Sequence, residues 1–293
     1  MNTSNHNKRK TPKHSKVTYI LQHLNISGTK SPKMSKKYKI HQYLRESGQF
    51  KSKTEIIHAL ESGDIKIAEK IIKNPEYQFK ATEQVFHKNE LITKPQEHLY
   101  FLLHKPIGYI CHKLAYWDKV HEKKSIFELL PLNITTQDIN SLTCVGRLDE
   151  DTSGLLIITT DGKLNHYLTS PENNIRKKYG VTLNYPLSAQ DKREIENGIV
   201  ITLEEEGQFL KTRTKPSIIH TLTPTTLEIT LTEGKKREIR RIFEAVHNQV
   251  ITLQRTHIGN LELHKELPEE GTIKQVTKEY ILEKVGKKHS DSL

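Results

Sequence analysis

The chain has 293 residues, 34% hydrophobic and 28% charged, with 46 Lys+Arg against 35 Asp+Glu and a formal net charge of +11. That is enough for one large domain or two ordinary ones around lean cores. No apolar run approaches the roughly 18 residues that span a bilayer. The polar, basic start lacks the apolar stretch of a secretory signal, and two cysteines, Cys111 and Cys144, are too few for a disulfide framework. A soluble cytoplasmic protein without a membrane partner is expected.

Charge is unevenly placed along the chain. Residues 1–45 hold 11 Lys and Arg and no carboxylate, which leaves 35 basic against 35 acidic residues elsewhere. A basic disordered arm over 1–37 suits a polyanion, because each phosphate contact releases counterions. It equally suits a solubilising tail. After it, Ile40, Tyr43 and Leu44 recur at helical spacing before Gly48. Ser52 is placed to cap a second helix carrying Ile56, Ile57 and Leu60, and Gly63 stops it. Short β-like pieces follow at 65–67, 71–72 and 84–86, so residues 38–95 form a compact module. Past a linker at Pro95, strands are predicted at 100–103, 154–160, 179–183, 227–231 and 250–253. Helices are predicted at 162–168, 188–196 and 235–247. In the last of these, Ile239, Ile242, Phe243 and Val246 make one apolar stripe. The interleaving predicts an α+β domain over 96–285 with a mixed sheet, then a tail at 286–293.

Three segments carry chemistry-bearing residues. Val145-Gly146-Arg147-Leu148-Asp149-Glu150-Asp151-Thr152-Ser153-Gly154 is an acid-rich turn running straight into an apolar strand. A loop carboxylate at a sheet edge can act as nucleophile or general acid/base; the same residues also suit a solvated turn bonding its own backbone. A glycosidase pair is disfavoured because both carboxylates lie on one loop. An aspartic-protease turn is disfavoured because Gly154 falls one residue late and no second turn of that kind occurs. The second segment, Glu233 to Phe243, opens a helix with Lys235, Lys236, Arg237, Arg240 and Arg241, which suits phosphate or a solvated basic face. It lacks P-loop spacing. The third, Arg176 to Val181, is a basic lead-in to a strand with Tyr179. Cys111, His112 and His121 are the nearest approach to a metal cluster, and no metal site is expected from them.

Taken in order, these segments resemble the RsuA/RluB/RluE/RluF-type ribosomal RNA pseudouridine synthases. Gly146 to Gly162 is similar to that family's signature loop and strand, and Leu102 to Tyr109 to its N-K-P-x-G strand. Arg176 to Val181, Glu233 to Phe243 and Arg255 to Gly259 resemble three further family segments. Residues 38–93 resemble the S4 RNA-binding module carried ahead of the catalytic domain. They depart from it in balanced charge, nine Lys+Arg against eight Asp+Glu, and in Ile67-Ala68-Glu69-Lys70 where a Val-Asn-Gly turn is usual.

The resemblance implies a small N-terminal S4-like module followed by a pseudouridine-synthase catalytic domain with a mixed, mainly antiparallel sheet. It implies a monomer that needs no cofactor and acts on ribosomal RNA, with a lean to the small subunit. It assigns Asp149 as catalytic aspartate, Tyr179 as active-site tyrosine and Arg240 as the arginine that pairs with the aspartate. Lys105, Arg147, Lys235, Lys236, Arg237 and Arg241 are the candidate RNA contacts, with the basic arm as a further supplier. Gly180, where a bulkier residue is usual, would loosen the tyrosine strand or admit a base closely. The competing readings are a non-catalytic RNA-binding assembly factor and a synthase acting on tRNA; the joint presence of Asp149, Tyr179 and Arg240 argues against the first.

Overall fold

In the computed structural model the described residues are 37–80, 82–93, 97–205 and 207–286. Nearly all of the predicted basic arm and C-terminal tail lie outside them. Among the described residues, no helix is long and apolar enough to cross a membrane.

Residues 37–93 build their own core. Helices Ile40–Glu46 and Lys53–Glu61 pack Ile40, Leu44, Ile56 and Leu60 against Ile65, Ile67, Phe79, Val85 and Ile92 from short strands. Ser52 caps the second helix as its sequence predicts: its Oγ accepts the Glu55 N–H at 3.1 Å, and the Glu55 carboxylate takes the Lys51 N–H at 2.6 Å. Strands Lys70–Ile71, Ile65–Ile67, Val85–His87 and Glu90–Ile92 form an antiparallel sheet in that order. The turn at 67–70 puts Ala68 at φ +50°, a left-handed conformation that Asn or Gly adopts more readily. The module meets the rest of the chain at Gly48, where φ is +70° and an added Cβ would stand 2.0 Å from the Gln137 carbonyl oxygen. The Gln137 side-chain amide donates to the Ser47 carbonyl at 2.5 Å.

The larger part is a mixed sheet. Its strand order is Ile218–Thr221, Thr226–Leu231, Lys177–Leu183, Val250–Ile258, Ser153–Thr159, Tyr100–Lys105 and Ile273–Gln275. Every neighbouring pair along this path is antiparallel except Ser153–Thr159 with Val250–Ile258. That parallel seam is only two pairs long, Ser153↔Gln254 and Gly154↔Arg255. It joins two antiparallel halves, each with its own helices. On one side Ile195, Ile239, Ile242 and Phe243 bury against Val181, Ile229 and Leu253. On the other, Leu164 and Leu168 pack with Leu102, Leu155, Ile157 and Ile281. Gly154 makes the seam possible. At φ +118° its missing Cβ would stand 2.3 Å from the Arg255 carbonyl oxygen and 2.5 Å from the Arg255 nitrogen.

The predicted strands and helices are present with shifted ends. The strand predicted at 250–253 runs on to Ile258, and the basic helix is shorter than predicted, Glu238–Ala245, because Arg237 stands before it at φ +53°. The hairpin Val200–Glu205/Gln208–Arg213 and the final helix Lys278–Val285 were not predicted.

Candidate active site

The acid-rich turn enters the sheet at the parallel seam, and it is braced from several sides. The Thr152 N–H closes it onto the Asp149 carbonyl at 3.1 Å, and the Gly108 N–H donates to the Glu150 carbonyl at 2.8 Å. Beneath it, Lys105 is fully buried and spends its ammonium on carbonyl oxygens, at 2.8 Å to Thr152 and 2.9 Å to Pro106. Burial draws that ammonium below the usual lysine range. Lys105 was expected to contact RNA; the structure makes it an internal brace instead, because its strand is buried along all six residues. Lys123 holds the Glu150 carboxylate at 2.7 and 2.9 Å.

The helix Glu238–Ala245 supplies the opposite wall. Arg240, 7% exposed, donates through Nη1 to the Val250 carbonyl at 3.1 Å and through Nη2 to the Asp151 carbonyl at 2.9 Å. Its Nη2 also lies 3.0 Å from the Asp151 carboxylate. The implied Arg240–Asp149 pair is therefore not the one formed. The tight turn at 149–152 carries Asp151 to Arg240, and Arg237 stands 3.7 Å from Asp149 and 3.3 Å from Asp151. Arg240 ties the loop to a strand, while the Asp149 side chain stays 38% exposed.

Between these walls lies a cleft of about 230 Å³, ample for one nucleoside-sized group. Asp149, Arg147 and Thr152 line it from the loop, Lys177 and Tyr179 from a strand, and Arg237 and Arg240 from the basic segment. Tyr179 arrives there beside an irregularity. Lys178 pairs with His257 but Tyr179 with Arg255, so Thr256 is bulged out of register. Gly180 has only Thr256 Cγ2, at 3.8 Å, near the place of an added Cβ, so packing within the protein does not require glycine.

Arg255 was missed as a site residue. It is 1% exposed, its Nε donates to the Leu155 carbonyl at 2.7 Å, and it lines the cleft. Its place at the head of the family-like segment Arg255 to Gly259 was the available signal. Among the described residues, the buried side-chain polar atoms without a hydrogen-bond partner are Thr152 Oγ1, Glu238 Oε1, Arg240 Nε and Arg255 Nη2. All four belong to residues lining this cleft. Glu238 Oε1 has Lys235 Nζ at 3.5 Å, which leaves costly unpartnered atoms on Thr152, Arg240 and Arg255, gathered along one cleft as a site for a polar ligand would have them.

The other predicted contacts divide. Arg147, Lys236 and Arg237 are exposed on the cleft. Lys235 is instead held by Glu233 and Glu238, and Arg241 donates back to the Lys236 carbonyl at 3.0 Å. Cys111 and Cys144 are buried free thiols, with Cys111 Sγ accepting the Leu148 N–H at 3.4 Å. His112 lies 3.2 Å from Asp118.

Glu238 gives the site a pH signature. Burial, with the Glu233 carboxylate alongside, pushes its carboxyl up to about 7. The native state therefore holds this proton more tightly than an unfolded chain, where a glutamate titrates near about 4.3. The stabilisation is fully present below that ordinary value and is lost as pH rises through about 7. Glu238→Gln, permanently neutral, is expected to melt a few degrees above the wild type at pH 8. The gap should close by pH 5 in thermal melts across that range.

Comparison with known proteins agrees with this geometry. The family model described as RNA pseudouridylate synthase matches residues 99–245. An uncharacterized RNA pseudouridine synthase of Aquifex aeolicus is 31% identical over 83% of this chain and 94% of its own. Ribosomal small subunit pseudouridine synthase A of Escherichia coli is 30% identical over 72% of this chain and 84% of its own. A crystal structure of a pseudouridylate synthase superposes with a TM-score of 0.58 at 28% identity, covering 84% of this chain and 98% of that one. The chain belongs to the RNA pseudouridylate synthase family, and it is similar to the members of that family named for the small ribosomal subunit.

Proposed function

We propose that this protein is a cytoplasmic, monomeric enzyme that converts one uridine of small-subunit ribosomal RNA to pseudouridine. The observation that carries this reading is the braced loop presenting Asp149 into a cleft shared with Tyr179. The relatives named for the small subunit support the substrate class. The reaction breaks the C1′–N1 bond and makes a C1′–C5 bond; N1 gains a proton, C5 loses one, and no atom leaves. Asp149 acts as nucleophile at C1′ or as base at the 2′ carbon. Tyr179 stacks on the uracil and assists removal of the C5 proton. Arg240 is a positioning residue, holding the loop through Asp151. The target base must leave its stack, at a cost of a few kcal/mol that Arg147, Lys236 and Arg237 offset through phosphate contacts. The N-terminal module is assigned as an S4-like RNA grip, aided by the basic arm.

The test is pseudouridine mapping on unmodified small-subunit, large-subunit and transfer RNA transcripts incubated with the protein. One new site in the small-subunit transcript supports the proposal. A site in tRNA alone replaces the substrate, and tight binding with no site anywhere turns the reading to an assembly factor.

A further inference from the structure

Residues 111–124 leave the sheet domain as a closed excursion. Its ends are pinned where Tyr109 and Ile110 pair in parallel with Lys124 and Ser125, and the Ser125 hydroxyl donates to the His112 carbonyl at 2.6 Å. At its tip is a short helix, Tyr116–Val120, that buries none of its residues. Tyr116 is 73% and Trp117 69% exposed, with ring centroids 5.5 Å apart in an edge-to-face pair. Two large aromatics held side by side in water cost hydration free energy and contribute nothing to the core. The tip is nevertheless well organised. The Asp118 carboxylate accepts the Ala115 N–H at 2.7 Å, and the Lys123 N–H returns to the Asp118 carbonyl at 2.9 Å.

The surroundings indicate what would cover these rings. Four lysines stand against two carboxylates between residues 111 and 124, and two of the four are engaged, Lys113 on the Asn140 carbonyl and Lys123 on Glu150. Lys119 and Lys124 are exposed, and Asp118 is occupied by Ala115 and His112. Aromatic faces set among cations match single-stranded nucleic acid, whose bases stack while its phosphates meet the lysines. The excursion is also tied to the catalytic loop, since Lys123 grips Glu150, the residue after Asp149.

We infer that Tyr116 and Trp117 form a stacking platform for unpaired bases of the RNA substrate, outside the catalytic cleft and fixed relative to it through Lys123–Glu150. The inference rests on RNA being the substrate, and it adds a place where nucleotides flanking the target are held.

Trp117 is the only tryptophan in the chain, so the protein carries its own probe. A short single-stranded oligoribonucleotide, titrated into the full-length wild type, is expected to quench Trp117 emission saturably. An abasic oligomer of equal charge should quench little. Anisotropy of the labelled oligoribonucleotide reports binding independently. Trp117→Ala should weaken that binding and raise KM about tenfold, as loss of one stacked base does, and Trp117→Phe should recover most of it. Binding seen by anisotropy with unchanged Trp117 emission overturns the platform and leaves this face to a protein partner. So does a Trp117→Ala protein that binds as tightly as wild type. Quenching without any pseudouridine in the mapped RNAs upholds the platform while refuting the synthase reading, so the two failures are distinct.

Discussion

Asp149→Ala is expected to reduce pseudouridine formation by on the order of 10³-fold or more while leaving RNA affinity within a few-fold of wild type. The loop's position does not depend on this carboxylate. Lys105, Gly108, Lys123 and Arg240 hold the loop through its backbone and its other side chains. Removing the Asp149 side chain thus deletes a reagent and leaves its mount in place. Single-turnover assays with quantitative mapping, alongside filter binding, check both halves. A variant that still makes product at a tenth of the wild-type rate would remove Asp149 from the chemistry, and Asp151 would be the next residue to replace. The position of Arg240 sharpens the contrast. Because it holds Asp151 and the Val250 carbonyl rather than Asp149, its loss would act by loosening the loop.

Gly154→Ala is expected to lower stability by about 3 kcal/mol or more, lowering Tm by roughly 10 °C, and to abolish activity with it. A Cβ at this position meets backbone atoms of Arg255 at 2.3 and 2.5 Å, and φ of +118° is itself costly for alanine. The parallel seam has only two residue pairs, so there is little slack to absorb the clash. Separating the strands there would displace Arg255 and the start of the Ser153–Thr159 strand together, and with them the cleft. Gly180→Ala is the control. Its nearest neighbour would be Thr256 Cγ2 at an ordinary 3.8 Å, so stability should stay within about 0.5 kcal/mol. Calorimetry on the two variants separates a glycine required by the fold from one that is not.

Much of the architecture was legible because it depends on local patterns. The Ser52 cap, the stop at Gly63 and the apolar stripe of Ile239, Ile242 and Phe243 each need only a few neighbouring residues, and each appears where expected. The ordered segments around Asp149, Tyr179 and Arg240 likewise identified the family, and the structure gathers all three residues into one cleft. The Val200–Arg213 hairpin escaped notice because an acid-rich run at its turn hid the alternation of Ile201 and Leu203.

What only the tertiary structure decided was which charges meet. Lys105 looks like an exposed basic residue beside a loop, yet all six residues of its strand are buried and its ammonium turns inward onto the Pro106 and Thr152 carbonyls. Arg240 and Asp149 are 91 positions apart, and spacing along a chain says nothing of the turn that brings Asp151 forward instead. Arg255 reaches the cleft only because two strands that are far apart in sequence pair in parallel over a glycine. Short-range order follows from neighbouring side chains and was written in the sequence. Ion pairs and burial depend on long-range register, which packing of the whole sheet settles.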